Sequence, residues 1–397
     1  MREGSVLEVL LTFLKLGLTS FGGPVAHIGY FREEIVVRRG WVDDAAYTDL
    51  VALCQFLPGP ASSQVGFALG LTRAGYLGGL AAWAGFTLPS AVLMVAFAFG
   101  AGAISGPIGA GLLHGLKLVA VAIVAQAVWG MARTLCPDRQ RTAIGAISAV
   151  LILSSGSSLI QLITIGLGGA FGLWLCRTQS AAPIGTLGAP VSRGVGIVSL
   201  TLFFGLLVGL PLLVRLGSGQ GLALFDAFYC AGALVFGGGH VVLPLLRDAV
   251  VAPGWVNDNS FLAGYGAAQA IPGPLFTFAA YLGAVVAPQP NGVVGATLAL
   301  VGIFLPGILI LIGTLPFWDT FRSRIGAQAA MRGINAAVVG LLGAALYSPV
   351  WTSSIHNSSD VSVAIVGFVL LTAWRAPPIV VVVIGAIAGA LLSTLMS

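Results

Sequence analysis

From Val6 onward the chain passes through one long apolar stretch after another. A helix needs about 20 apolar residues to cross the hydrocarbon core of a bilayer. Stretches that meet or approach this length lie at 5–29, 49–72, 75–101, 107–132, 143–156, 158–176, 195–216, 220–245, 261–287, 291–316, 327–348, 361–374 and 378–396, about thirteen in all. The pairs at 143–176 and 361–396 are short and read as hairpins that barely cross. Only 8% of residues are charged against 57% hydrophobic, too little charge to cover a soluble chain of this length. The expected fold class is an all-α polytopic membrane protein. The first stretch holds Lys15 and has many others behind it, so it reads as a membrane span and not as a cleaved signal peptide. A net charge of +5 points to Arg-rich cytoplasmic loops, not to a nucleic-acid surface. Cys54, Cys136, Cys176 and Cys230 show no CxxC spacing and read as packing residues, with no metal site.

Internal repetition is the next constraint. FGG at 21–23 returns at 236–238, with His27 and His240 close behind. Arg32–Glu33 falls in register with Arg247–Asp248, and GWVDD at 40–44 with GWVND at 254–258. QFLPGP at 55–60 matches QAIPGP at 269–274, and Leu88–Pro89 matches Leu305–Pro306. Five matches in one order, at offsets of 214 to 217, indicate duplication. The repeats are 1–176 and 218–397, separated by a linker with an extra transmembrane segment over 177–217.

One odd crossing between two equal halves turns the second upside down, and loop charge checks this because Arg and Lys favour the cytoplasmic side. With the N-terminus inside, the loop 133–142 carries Arg133, Arg139 and Arg141, while its counterpart 349–360 has no Arg or Lys. Conversely 102–107 has none, while 317–326 carries Arg322 and Arg324. The stretch 32–44 disagrees: it holds Arg32, Arg38 and Arg39 yet is counted outside. Either it tucks back into the interface or the first half is miscounted by one crossing.

The two PGP elements interrupt apolar stretches where proline lacks a donor and glycine is a poor helix former. A half-helix starting after such a break aims free N–H groups and a positive dipole end at the membrane midplane. Ser62, Ser63 and Gln64 follow the first PGP, and Thr277 follows the second. Hydroxyls and backbone donors within apolar walls suit a partly dehydrated anion. A kink filled by a neighbouring helix explains one copy equally well, and two matched copies favour a site. The FGG elements are a second pair of breaks, with close helix packing as the alternative. Ionisable residues within spans are costly and therefore informative. They are Lys15, His114 and Lys117, then Asp226, His240 and Arg332, mostly cationic, which favours an anion over a metal cation. Lys15 can instead snorkel to the interface, and Asp226 reads equally as a proton relay or an interfacial carboxylate. No P-loop, HExxH or nucleophile elbow is present, so a secondary carrier fits better than an ATPase or a membrane enzyme.

FGGPVAHIGYF, GW and QFLPGP, duplicated as FGGGHVVLPLLR, GW and QAIPGP, resemble the chromate ion transporter family in its two-domain, long-chain form, over essentially the whole chain. The resemblance implies chromate transport across the bacterial inner (cytoplasmic) membrane, usually as efflux giving resistance. It also implies competition with sulfate, an isosteric dianion, drive from a proton or charge gradient, and no cofactor. Partners are then chromate or a sulfate-like oxyanion, protons, the lipid bilayer and a second copy in a homodimer. Resemblance and residue reading together give substrate-binding candidates Gly22, Gly23, His27, Gln55, Pro58, Gly59, Pro60, Ser62, Ser63, Gln269, Pro272, Gly273 and Pro274. Thr277, Lys117 and Arg332 are lesser ones. Coupling or gating candidates are Lys15, Arg32, Glu33, Asp226, His240, Arg247 and Asp248, with helix-end salt bridges as the alternative for the two Arg–acid pairs. The second half has Gly239 where the first has Pro24, and it lacks the Arg38–Arg39 run, so contacts are weighted toward the first half. Access is expected to alternate by rocking one repeat against the other. A sulfate or other oxyanion carrier and an anion channel remain open.

Overall fold

A computed structural model describes residues 4–21, 23–101, 106–155, 158–177, 191–217, 219–236, 241–318 and 324–396. These residues form helices and connections, with no strand among them. In the first repeat α1 (Val6–Thr19) is followed by α2 (Gly23–Phe31), which continues as a wider π-type turn over Arg32–Arg38. Next come α3 (Asp44–Phe56), α4 (Ala61–Ala101), α5 (Gly106–Leu135), α6 (Arg139–Ser155) and α7 (Ser158–Leu175). Helix α8 (Arg193–Arg215) links to the second repeat, α9 (Gln220–Ala233), α10 (Val242–Val250), α11 (Asp258–Ala268), α12 (Phe278–Val285) and α13 (Gly292–Thr314). The chain closes with α14 (Ile325–Ala345), α15 (Ser358–Thr372) and α16 (Pro378–Met396).

The stretch 5–29, expected as one span, is two helices that double back. Phe13 of α1 meets Phe31 at the far end of α2, with ring centroids 5.4 Å apart. Lys15 Nζ lies 2.9 Å from Glu34 Oε2, and Arg39 reaches Glu8. The stretch 49–72 behaves likewise. Helix α4 is broken at Ala74 and Gly75, and its first arm returns Arg73 to the ring of Trp41, just ahead of α3. Helices α1, α3, α9, α10 and α11 run only 9 to 14 residues, about 14–21 Å at 1.5 Å per residue. That is too short for a core about 30 Å thick. In the second repeat Ala287 N–H donates to the Trp255 carbonyl and Tyr281 Oη to the Ser260 carbonyl, closing α11 on α12 in the same way.

Each repeat therefore opens with re-entrant hairpins, which enter and leave at one end of the bundle. This resolves the conflict over loop 32–44. Its Arg39 pairs with Glu8, and Arg73 pairs with Glu8 too, so the loop sits at the N-terminal end beside other basic residues. The stretch 5–29 is two short helices, neither long enough to cross by itself. Among the described residues the remaining helices of each repeat come in even number, as inversion of the second repeat across the single helix α8 requires. The GWV[DN] repeat is turn chemistry. Asp43 and Asn257 cap α3 and α11, accepting from Ala46 N–H and Ser260 N–H, which fixes where the second hairpin begins.

The repeats are interlocked. Helix α5 packs on α15 and α16 of the other repeat, and α14 packs on α6 and α7. Glycines permit the approach. A Cβ on Gly115 would strike the Gly385 carbonyl of α16, and one on Gly333 would strike the Gly168 carbonyl of α7. Close packing of small residues supplies helix association where lipid removes the hydrophobic drive. One core cluster accordingly joins Phe13, Phe31 and Phe86 to Tyr229 and Leu311. This exchange does not support the expectation that one whole repeat rocks against the other, because neither half is a free-standing body.

Single cysteines at Arg38, Asp138 and Ile355, in a cysteine-free background, test this arrangement with a membrane-impermeant maleimide. Positions 38 and 138 are expected to label from one face and 355 from the other. Labelling of 38 and 138 from opposite faces would overturn the re-entrant hairpins.

Candidate functional site

The helix breaks of the two repeats meet each other. Gly59, at φ +115°, donates its N–H to the Val235 carbonyl in the α9–α10 break, 2.8 Å away. Gly273, at φ +97°, donates to the Ser20 carbonyl in the α1–α2 break, 2.9 Å away. Each PGP is thus hydrogen-bonded to the FGG-type break of the opposite repeat. Both glycines occupy the left-handed region, which side chains avoid. Both are also hemmed in: a Cβ on Gly59 would lie 3.0 Å from Gly307 Cα, and one on Gly273 2.8 Å from Ser90 Oγ. Gly307 and Ser90 directly follow the repeated Leu–Pro pairs, so that motif too is explained by this crossing.

Around Ser20 the buried side chains are polar. His27 on α2 is 1% exposed; its Nδ1 lies 3.4 Å from Ser62 Oγ and its ring meets the Phe86 ring edge-on. Ser62, Ser63 and Gln64 form the first turn of α4 and are buried, as are Thr87 and Ser90 on its second arm. Gln64 Nε2 donates to the Pro58 and Gly307 carbonyls, tying the first break to α13. The hydroxyls of Ser20, Ser63 and Thr87, Gln64 Oε1 and Gln269 Nε2 have no hydrogen-bond partner. Each buried polar group left so costs about 1–3 kcal/mol. Three such hydroxyls on three segments around one crossing make a donor-rich site that an oxyanion would satisfy. Among the described residues no group of three or more His, Cys, Asp or Glu side chains gathers as a metal site would require.

The structure brings His27 beside Ser62 and sets Gly59 and Gly273 of the two PGP breaks against the opposite repeat, whereas a Cβ on Gly23 would meet nothing within 4 Å, and other expectations lie elsewhere. Gln55 is exposed on α3, outside the crossing. Thr277 Oγ1 donates to the Pro274 carbonyl and caps its own turn. Lys117 Nζ donates to Asn259 Oδ1, and Arg332 to the Cys176 carbonyl and Gln328, so both belong to packing seams and not to the breaks. Lys15 is exposed and paired with Glu34. Arg32 pairs with Asp44 at 2.6 Å, not with Glu33, and Arg247 with Asp258 at 2.9 Å, not with Asp248. Glu33 instead holds Arg38, and Asp248 accepts from Gln161. The repeated ion pair therefore clasps the end of one hairpin to the start of the next. The Arg32 guanidinium holds the Asp44 carboxyl below the usual carboxylate range. Asp226 is half-buried and accepts from Cys230 Sγ. Gly22 and His240 lie outside the described residues. Ser20, Thr87 and Ser90 were not anticipated. Their one signal is position, beside FGG and Leu–Pro, because neutral hydroxyls raise no alarm in an apolar stretch.

A cleft of about 670 Å³ between α3, α8, α13 and α14 reaches Pro58 and Phe236, with Trp318 and Arg324 toward the N-terminal end. The corresponding helices of the other repeat, α5 and α11, pack closely. There α5 lies so close on α11 that a Cβ on Gly266 would strike the Leu116 carbonyl.

A family model described as chromate transporter matches residues 7–173 and again 222–390. The chromate transport protein of Pseudomonas aeruginosa is 30% identical over 386 residues, covering 95% of this chain and 89% of that protein. The probable chromate transport protein of Synechococcus elongatus is 28% identical, covering 97% and 95%. The chromate transport protein of Cupriavidus metallidurans is 26% identical, covering 85% and 81%. No solved structure matches the chain.

Gly59→Ala and Gly273→Ala are each expected to destabilise the fold by about 1–3 kcal/mol, through left-handed strain and the lost approach. The unfolding midpoint in detergent measures this, and wild-type midpoints for both would refute the role assigned to the crossing.

Proposed function

This chain belongs to the chromate transporter family, and we propose that it is a secondary carrier moving chromate outward across the cytoplasmic membrane. The observation that carries the reading is the meeting of each PGP break with the FGG-type break of the opposite repeat, beside buried hydroxyls from separate segments that lack partners. A tetrahedral dianion offers several strong acceptor oxygens to such donors. Neutral donors on a common tetrahedron discriminate poorly between isosteres, so sulfate competes for the same site.

Three features support efflux by alternating access. The cleft to Pro58 is also lined by Arg324, which belongs to the loop 317–326 that charge bias assigns to the cytoplasm. The corresponding seam between α5 and α11 is closely packed, which favours a carrier over a channel that would be open along its length. Finally, the exchanged packing supplies the moving parts. The bodies that shift are α5 with α15–α16, and α14 with α6–α7, around a fixed crossing of breaks. Chromate enters from the cytoplasm, exchanges hydration for hydroxyl and backbone donors, and leaves when the α5–α11 seam parts. No bond of the anion is made or broken.

Reconstituted vesicles loaded with chromate provide the test, with sulfate as competitor under an imposed pH gradient. Ser62→Ala combined with Ser63→Ala is expected to weaken chromate transport at unchanged membrane abundance. Unaltered transport by the double variant would exclude the α4 start from the site.

A further inference from the structure

A second cluster of titratable side chains lies away from the breaks, where α5 of the first repeat meets the start of α15 of the second. Asp360 is 1% exposed there. Its Oδ1 lies 2.8 Å from His114 Nε2, and its Oδ2 accepts the His356 N–H at 2.9 Å. Asn357 caps the same turn through the Asp360 N–H. The His356 ring stacks on His114, with centroids 5.8 Å apart and planes 16° from parallel. Lys117 follows His114 by three residues on α5, so both side chains share one helix face. Lys117 Nζ donates to Asn259 Oδ1 at the start of α11, 3.0 Å away. The cluster thus sits at the mouth of the seam that Leu116 and Gly266 close.

Three carboxylates are buried among the described residues: Glu34, Asp49 and Asp360. Glu34 is held by Lys15 at 2.9 Å and by Arg39 at 3.0 Å. Asp49 accepts from Trp318 Nε1. Asp360 has an imidazole as its ion partner, a group able to take up a proton. The other elements packed on α5 bring little competing charge. Helix α16 has no titratable side chain over Pro378–Met396, Asp258 of α11 is taken by Arg247, and Arg332 of α14 is engaged with Cys176 and Gln328. Tyr347, in the turn after α14, is exposed.

Resting on the carrier reading above, we propose that His114 accepts the coupling proton and that its protonation releases the α5–α11 seam. An ionised carboxylate only accepts hydrogen bonds, so Nε2 carries the hydrogen directed at Asp360. The incoming proton goes to Nδ1 and yields an imidazolium. Before it arrives, the charges of Asp360 and Lys117 balance. Afterwards one positive charge is in excess, one helical turn from Lys117, and like charges on one helix face repel. The repulsion bears on Lys117, whose hydrogen bond to Asn259 joins α5 to the start of α11.

The test uses the full-length chain in proteoliposomes and reads chromate exchange at equal pH beside uptake under a proton gradient. His114→Gln keeps an N–H toward Asp360 but takes no proton. Exchange at equal, alkaline pH, where opening does not call on the proton, is expected to remain near the wild-type rate while stimulation by the gradient is lost. Asp360→Asn removes the charge that favours imidazolium, so the midpoint of pH activation is expected to move to lower pH. A cysteine at Ala267, buried in the seam, gives a readout independent of transport. Its reactivity toward an impermeant thiol reagent is expected to rise as pH falls, and to stay flat in the His114→Gln background. Gradient stimulation retained by His114→Gln, or an unmoved midpoint in Asp360→Asn, overturns the assignment. Wild-type vesicles that exchange no chromate overturn instead the carrier reading.

Discussion

A helix that stops inside a bilayer leaves backbone donors and acceptors with no water to receive them, so protein must supply their partners. In this chain the partners come from the opposite repeat. The N–H of Gly59 finds Val235, and the N–H of Gly273 finds Ser20. Neither break is tenable without the other, and every motif that recurs along the chain serves this reciprocal pair. The GW turns place the caps that start the second hairpins, the Arg–Asp clasps hold consecutive hairpins together, and the Leu–Pro pairs shape the helix face each glycine meets.

The same reciprocity sets the chemistry. Fitting two breaks together by backbone hydrogen bonds brings four chain segments to one depth. It also collects hydroxyls that no single segment could satisfy. Among the described residues no lysine or arginine is seen to pair with the hydroxyls of Ser20, Ser63 and Thr87. The cationic side chains within apolar stretches are instead distributed along seams between repeats, where Lys117 and Arg332 tie one helix to another. Recognition by neutral donors and control by charged ones are thereby separated in space.

Much of this was legible in the residues. The membrane class followed from the scarcity of charge, and the duplication followed from five ordered matches. The PGP and FGG breaks were visible because proline and glycine are conspicuous in apolar runs. What escaped was three-dimensional pairing. Stretch 5–29 has the length of a crossing, and only the contacts of Lys15 with Glu34 and Arg39 with Glu8 reveal that it folds back. Arg32 stands next to Glu33, yet helical geometry turns it toward Asp44, twelve positions on. The importance of Ser20 and Thr87 depends on which segments meet, and composition holds no trace of that.

The exchange of terminal helices bears on how such a chain is made. When synthesis has reached residue 176, Gly168 and Gly172 of α7 and Gly115 of α5 present grooves whose occupants, Gly333 on α14 and Gly385 on α16, are still untranslated. The first repeat must wait in the bilayer with its small-residue faces bare. Its completion is a late event, reached only when the last helix of the chain threads back to the first half.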